Sequence, residues 1–383
     1  MCVYLDYNAS APIDSRVLEL MVETFKNNIG NADSRTHYYG EKARNIVEDA
    51  RKQVANLLGV SSDEVFFTSG ATESNNIAIQ GLKEYAAVTG KKHIITTAIE
   101  HKAVLETVKA MEKDGYDVDI IFPDITGRIN AEDVIGKVRS DTLLVSVMHV
   151  NNETGIIQPV KEIGEFLDKN DVLFHIDATQ SCGKLVNDIR ELKYTMLSFG
   201  AHKLMGPQGI GALVLKKKRY KLPPVKNIMY GGQQEHGIRP GTVPVALIAG
   251  LGKACEIAEL EHSKNEKYVH QIKQIVLEKI DKSGIEYLIN GDQNCCLDST
   301  LNICFPGVSS EALMLSTKQY CGVSNGSACT SKSYSPSYVL TAMGISEEQI
   351  ECSIRMSWGA STDIEEVKES MDLLLETAKQ ICC

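Results

Sequence analysis

Between about Glu41 and Leu215, short runs rich in apolar and β-branched residues alternate with longer amphipathic stretches. The runs are "EVFFT", "HIITT", "VDIIF", "TLLVSVMH", "VLFHID", "MLSFG" and "GALVL". Strands that alternate with helices build a parallel sheet with a helical cover, so the expected fold class is α/β with a mostly parallel seven-stranded sheet. Within "EKARNIVEDARKQVANLLG", Ala43, Ile46, Val47, Ala50, Val54 and Leu57 recur at helical spacing, and the pattern stops at Gly59. In such a sheet, sites lie in the loops that follow the carboxyl ends of the strands. Beyond about Gly250, one long helical stretch runs through Ile280, followed by strands near "STLNICF" and "CSIRMSW". That is a second, smaller α+β lobe, as a 383-residue chain exceeds the usual single core. The expected division is a large domain over 15–258 and a small domain formed by 1–14 and 259–383.

With 43% hydrophobic and 23% charged residues the chain can bury a large core, and no low-complexity block interrupts it. A formal charge of −10 argues against direct binding to nucleic acid or an anionic membrane surface. The local "KKKRY", Lys216 to Tyr220, reads as the solvated end of a strand or as a small basic patch. No apolar run reaches the roughly 18 residues that span a bilayer, and "MCVYLDYNASAP" has no basic-then-apolar leader, so a cytoplasmic location is expected. The eleven cysteines show no framework spacing. The adjacent pairs Cys295-Cys296 and Cys382-Cys383 suit neither a zinc ribbon nor a disulfide scaffold, so most read as reduced thiols and no metal is expected.

Several loops carry chemistry. In "TSGATESNN", Gly70 permits a tight turn and Ala71-Thr72 open the next helix, either as a phosphate seat or as an ordinary helix start. "HIDATQS" ends a strand on Asp177, with Gln180 in the loop. The carboxylate is either a partner for a cationic ring nitrogen or a helix cap. Lys203, between a strand and the Gly-Pro-rich turn "GPQGIG", is a Schiff-base candidate. The other His-Lys pair, His101-Lys102, opens a helix, where Lys102 points outward and His101 can lie flat on a bound aromatic ring. Cys329 stands in "SNGSACTSKS", a run of small polar residues with almost nothing to pack.

Read in order, "YLDYNASAP", "TSGATESNN", "EHKAV", "HVNNETG", "HIDATQ", "HKLMGPQGIGAL", "RPGT", "NGSACTS" and "IRMSWG" resemble the pyridoxal 5'-phosphate-dependent cysteine desulfurases of the NifS/IscS-like group, within the class V aminotransferase family. The resemblance covers essentially the whole chain. It implies a fold-type I homodimer with active sites at the subunit interface. It also implies Lys203 as the lysine that binds the cofactor, Asp177 on the pyridine nitrogen, His101 stacked on the ring and Gln180 at the ring hydroxyl. Ala71, Thr72 and His202 would hold the phosphate, with Thr242 reaching in from the partner subunit. Asn152 and Arg355 would bind the substrate carboxylate, Asn152 also touching the cofactor.

The activity so implied is removal of sulfur from L-cysteine to give L-alanine, with a persulfide left on Cys329 for a sulfur-acceptor protein. The acceptor would serve iron–sulfur cluster assembly, tRNA thiolation or DNA phosphorothioation. Selenocysteine lyase activity, or a non-catalytic scaffold of the same fold, are the alternatives. The chain departs from the family pattern at Gly200, where serine is usual, at Gln233 and His236 in "GGQQEHGIRPGT", and at Ala32.

Overall fold

The computed structural model describes residues 2–326 and 336–382. In chain order the strands are β1 (Val3–Tyr4), β2 (Val65–Thr68), β3 (His93–Thr97), β4 (Asp117–Ile121), β5 (Thr142–Met148), β6 (Leu173–Asp177), β7 (Met196–Gly200), β8 (Gly211–Leu215), β9 (Leu288–Ile289), β10 (Thr300–Cys304), β11 (Cys321–Gly322) and β12 (Ser353–Ser357). The seven apolar runs form one sheet in the order β2-β8-β7-β6-β5-β3-β4. Only β8 runs against its neighbours, pairing antiparallel with both β2 and β7.

Helices cover both faces, and the two-residue period of a strand divides each run between them. Phe67, Ile95, Val145 and Leu197 pack into one core, while their neighbours Phe66, Ile94, Leu144 and Met196 pack into another on the opposite face. Burial on both faces is why the runs are continuously apolar rather than alternating.

The helix Tyr38–Leu58 buries Ala43, Val47, Ala50, Val54 and Leu57, with Ile46 half-buried at the rim. It ends at Gly59 (φ 67°), a left-handed cap that glycine adopts without a Cβ penalty.

In the second lobe, β12, β10 and β9 form an antiparallel sheet, and β1 pairs in parallel with β11. The N-terminal segment therefore belongs to this lobe, and an isolated bridge from Asp6 to Ser357 extends the contact. The long helix starts at Val245, five residues before the sequence reading placed it, and runs to Ser283. Pro244 precedes its first turn and Gly284 (φ 69°) ends it. Ile248, Leu251 and Cys255 of this helix join the first core, and Ile272, Val276 and Ile280 join the core of the second lobe. Among the described residues no helix is long and apolar enough to cross a membrane.

Candidate active site

Because β2, β3, β5, β6 and β7 run the same way, the loops after their carboxyl ends gather on one edge of the sheet. There they meet Asn8, Ala9 and Ser10 of the N-terminal segment and Arg355 of β12, enclosing a cavity of about 510 Å³. Ala71, Thr72, His101, Asn152, Asp177, Gln180, His202, Lys203 and Arg355 all line it. Thr242 is exposed and does not line the cavity of its own chain. Cys329 lies outside the described residues.

One end of the cavity is the start of the helix Ala71–Gln80, which follows Gly70 (φ 152°) and has no side-chain cap. Its first-turn N–H groups and positive dipole end are available to an anion. Glu73 of that first turn holds Ser69 N–H and the guanidinium of Arg239, at 3.0 Å from Nε, which ties the "RPGT" segment to this end of the site.

At the other end, Asp177 is 4% exposed. Asn75 Nδ2 donates to its Oδ2 at 2.8 Å, while Thr179 donates to Oδ1 from its backbone N–H at 3.0 Å and from its hydroxyl. The carboxylate thus caps the turn after β6, where the sequence reading allowed a helix cap, and also faces the cavity.

His101 caps the helix Lys102–Lys113, its Nδ1 accepting the Ala103 N–H at 3.1 Å. In the neutral ring this leaves the proton on Nε2. Burial pushes the imidazole below its ordinary range, against the attraction of Asp177 and with the repulsion of Lys203 and Lys102. His202 is pushed down to about 4 by burial and by the nearby Lys203 and His101.

Lys203 ends a short 3-10 turn, Ala201–Lys203, rather than following the strand directly. Its Nζ donates to the carbonyls of Asn8 and, at 2.6 Å, Ala9. Lys102 lies with its ammonium 5.9 Å from the Tyr338 ring centre and is not part of the cavity wall. Arg355 is only 3% exposed. Its guanidinium binds Asp6 and donates from Nη1 to Asn152 C=O at 3.0 Å. Arg355 Nε and Asn152 Oδ1 are buried and have no hydrogen-bond partner among the described residues.

On the side of known proteins, the sequence profile of the Aminotransferase class-V family matches residues 3–369. The chain belongs to the class V aminotransferases. It is similar to the cysteine desulfurase IscS of Vibrio vulnificus, with 43% identity over 97% of this chain and 91% of that relative. A solved NifS-like protein matches with a TM-score of 0.91 and 35% identity, covering 99% of this chain and 100% of its own. SspA, solved in complex with cysteine, matches with a TM-score of 0.81 and 36% identity, covering 94% of this chain and all of its own. These likenesses assign this class V member to the cysteine desulfurase group.

The departures of this class V chain from its family pattern leave the cavity intact. Gly200 is extended (φ −121°, ψ 140°), a conformation open to any residue. Gln233 and His236 flank Glu235, a buried carboxylate that takes a bidentate pair of hydrogen bonds from Arg51 at 2.7 and 2.8 Å. Glu235 also accepts the Phe67 N–H at 2.7 Å, joining this segment to β2. Ala32 is buried. Cys321, the thiol nearest to Cys329 in sequence, is 1% exposed in β11, and burial pushes its pKa up to about 12. A thiol so protected is a poor nucleophile.

Sequence reasoning assigned no role to Asp6, Asn8, Asn75, Thr179, Glu73 or Arg239. Asp6 and Asn8 stand in the quoted "YLDYNASAP", and Asn75 in "TSGATESNN", so the signal was present in the motifs without a partner to interpret it.

Proposed function

We propose that this chain is a pyridoxal 5'-phosphate-dependent cysteine desulfurase that takes sulfur from L-cysteine, leaves L-alanine and carries the sulfur as a persulfide on Cys329. The observation that carries the reading is the arrangement in one cavity of a lysine, a hydrogen-bonded carboxylate, an uncapped helix start and a buried guanidinium with a spare donor. These groups fit the cofactor and its substrate. The helix start with Ala71, Thr72 and His202 suits a phosphate, Asp177 suits a protonated ring nitrogen, and Gln180 and His101 suit the ring itself. When bound, the cofactor supplies an electron sink for the charge left at Cα on loss of its proton.

The chain's own residues do the rest. Arg355, through its unpartnered Nε, and Asn152 orient the substrate carboxylate, Arg355 being already fixed by Asp6 and Asn152 C=O. The Lys203 amine takes the Cα proton and returns one during release of alanine. His101, whose Nδ1 accepts a backbone N–H and leaves Nε2 to carry the proton, would relay protons beside the ring. The Cys329 thiolate attacks the substrate sulfur, forming the S–S bond of the persulfide as the C–S bond breaks with its electron pair on the carbon side.

We further propose a homodimer in which Thr242 serves the partner's site, supported by its exposure and its absence from its own cavity. Exposed Tyr38 and Tyr39, with ring centres 6.1 Å apart, and exposed Ile29 supply apolar surface for such an interface. The sulfur passes to an acceptor protein.

The test is Cys329→Ser. The variant should keep the spectral change on addition of L-cysteine and lose sulfide release in the presence of a thiol reductant. Sulfide release near the wild-type rate would move the acceptor role to another cysteine.

A further inference from the structure

A second cavity, of about 230 Å³, lies beside the first, and Lys203 is the residue that both walls share. Asn8, Ala9 and Ser10 line the catalytic cavity, while Tyr7, Ala11 and Asp14, before and after that strip, line the second. Its walls are largely apolar, built from Leu204, Met205, Ile257, Ala258, Val269 and Trp358.

Among the polar residues in the wall of this cavity, Lys184 and Ser299 are the least satisfied. Lys184 lines it and makes one long hydrogen bond, 3.4 Å to Gln180 Oε1. Burial pushes its pKa down to about 8, and the charges that bear on it, Lys203 and Arg355, are both repulsive. Ser299, 5% exposed, also lines the cavity, and its buried Oγ has no hydrogen-bond partner among the described residues. The acids in the wall do not answer Lys184. Asp14 is held by Arg16, Asp298 by His270 and Lys273, and Glu266 is exposed.

A half-buried ammonium without a counter-charge is costly, and an anion that can enter restores the balance. A phosphate would bring a strongly hydrated dianion against largely apolar walls, with Lys203 already engaged by the Asn8 and Ala9 carbonyls and Lys184 and Ser299 left to hold it. A carboxylate needs no more than those two groups, and its hydrocarbon gains from the walls. We propose that this cavity binds a small carboxylate with an apolar body, the anion on Lys184 and Ser299 and the hydrocarbon against Leu204, Ile257 and Trp358. Its occupant adjoins the active-site lysine, and through Lys184 it adjoins Gln180, so binding is felt in the catalytic cavity. The proposal does not depend on the reaction assigned above.

The test is calorimetric titration of the holoenzyme at neutral pH with sodium hexanoate, and with hexan-1-ol as the same body without the charge. Hexanoate should saturate one site per chain. Hexan-1-ol, and hexanoate with Lys184→Met, should bind about tenfold more weakly or worse, as loss of a charge-assisted hydrogen bond requires. Ser299→Ala should weaken hexanoate by a smaller factor, and Arg355→Gln should leave it bound. The proposal is overturned by absence of saturable binding, by equal affinity for the acid and the alcohol, or by affinity unchanged in both Lys184→Met and Ser299→Ala. Loss of binding in Arg355→Gln with Lys184→Met unaffected would put the ligand in the catalytic cavity and overturn it too. Should Lys184→Met not fold, the alcohol and Ser299→Ala still decide.

Discussion

Asn75, in the helix that opens one end of the cavity, donates a 2.8 Å hydrogen bond to Asp177 at the end of β6, so one element sets both ends of the cavity. The two Oδ atoms of Asp177 have separate donors: Thr179 serves Oδ1 and Asn75 serves Oδ2. Asn75→Ala strips the second and leaves a buried carboxylate oxygen unpaired. The expected loss is about 1–3 kcal/mol of stability, together with faster loss of cofactor on dialysis. Unchanged denaturant midpoint and cofactor retention would reduce Asn75 to a packing residue.

The local layers of this architecture were legible and the pairings between distant segments were not. Strand runs, the helix stop at Gly59 and the turn at Gly70 follow from period and backbone freedom, which act within a few residues. Lys203 could be preferred over Lys102 for the same reason, since a helix start and a strand-to-turn junction differ locally. By contrast, Asp6 and Arg355 are 349 residues apart in sequence and meet only because β1 and β12 belong to one lobe. The carbonyls of Asn8 and Ala9 that hold Lys203 carry no side-chain signal at all. The early start of the long helix was hidden because "VPVALIAG" is apolar on every side, so no period announces it.

Arg355→Lys keeps a positive charge but loses the fork that reaches Asp6 and Asn152 C=O together. The KM for L-cysteine should rise by about 10- to 100-fold, with the visible absorbance of the bound cofactor intact. An unchanged KM would confine Arg355 to bracing the two lobes.

Glu100, beside His101, is fully buried, and burial pushes its carboxyl up to about 8 against hydrogen bonds from Met148 N–H and the Thr97 hydroxyl. The unfolded chain releases this proton near the usual 4.5, the folded chain only near 8. Its contribution to stability is therefore complete below about pH 4.5 and is lost as pH rises to about 8. Glu100→Gln removes the titration, so the stability of the variant relative to wild type should climb by up to about 1.4 kcal/mol per pH unit across that window and stay level outside it. Denaturant midpoints at several pH values on both sides of the window check this. A constant offset between the two proteins would mean that Glu100 is ionised in the fold.

Gly200 ends β7 opposite the helix start that would receive the cofactor phosphate. A Cβ built there lies 3.3 Å from His202 Nδ1, 3.4 Å from His202 Cε1 and 3.5 Å from Ala71 N. With φ at −121° the backbone takes a serine without strain, so a glycine requirement of the main chain does not explain the residue. Among the described residues the nearest obstacle is the His202 ring, which must give by a few tenths of an ångström. Gly200→Ser adds a hydroxyl beside the first N–H of the helix Ala71–Gln80, where an anion would sit. Cofactor dissociation should slow by about tenfold, the effect of one added charge-assisted hydrogen bond. Gly200→Ala adds the same Cβ without the hydroxyl and separates crowding from bonding. Slower loss in serine but not in alanine identifies the missing hydroxyl as the weak point of phosphate binding. Equal or faster loss in both would show that His202 cannot yield, and that the glycine is kept to leave room for its ring.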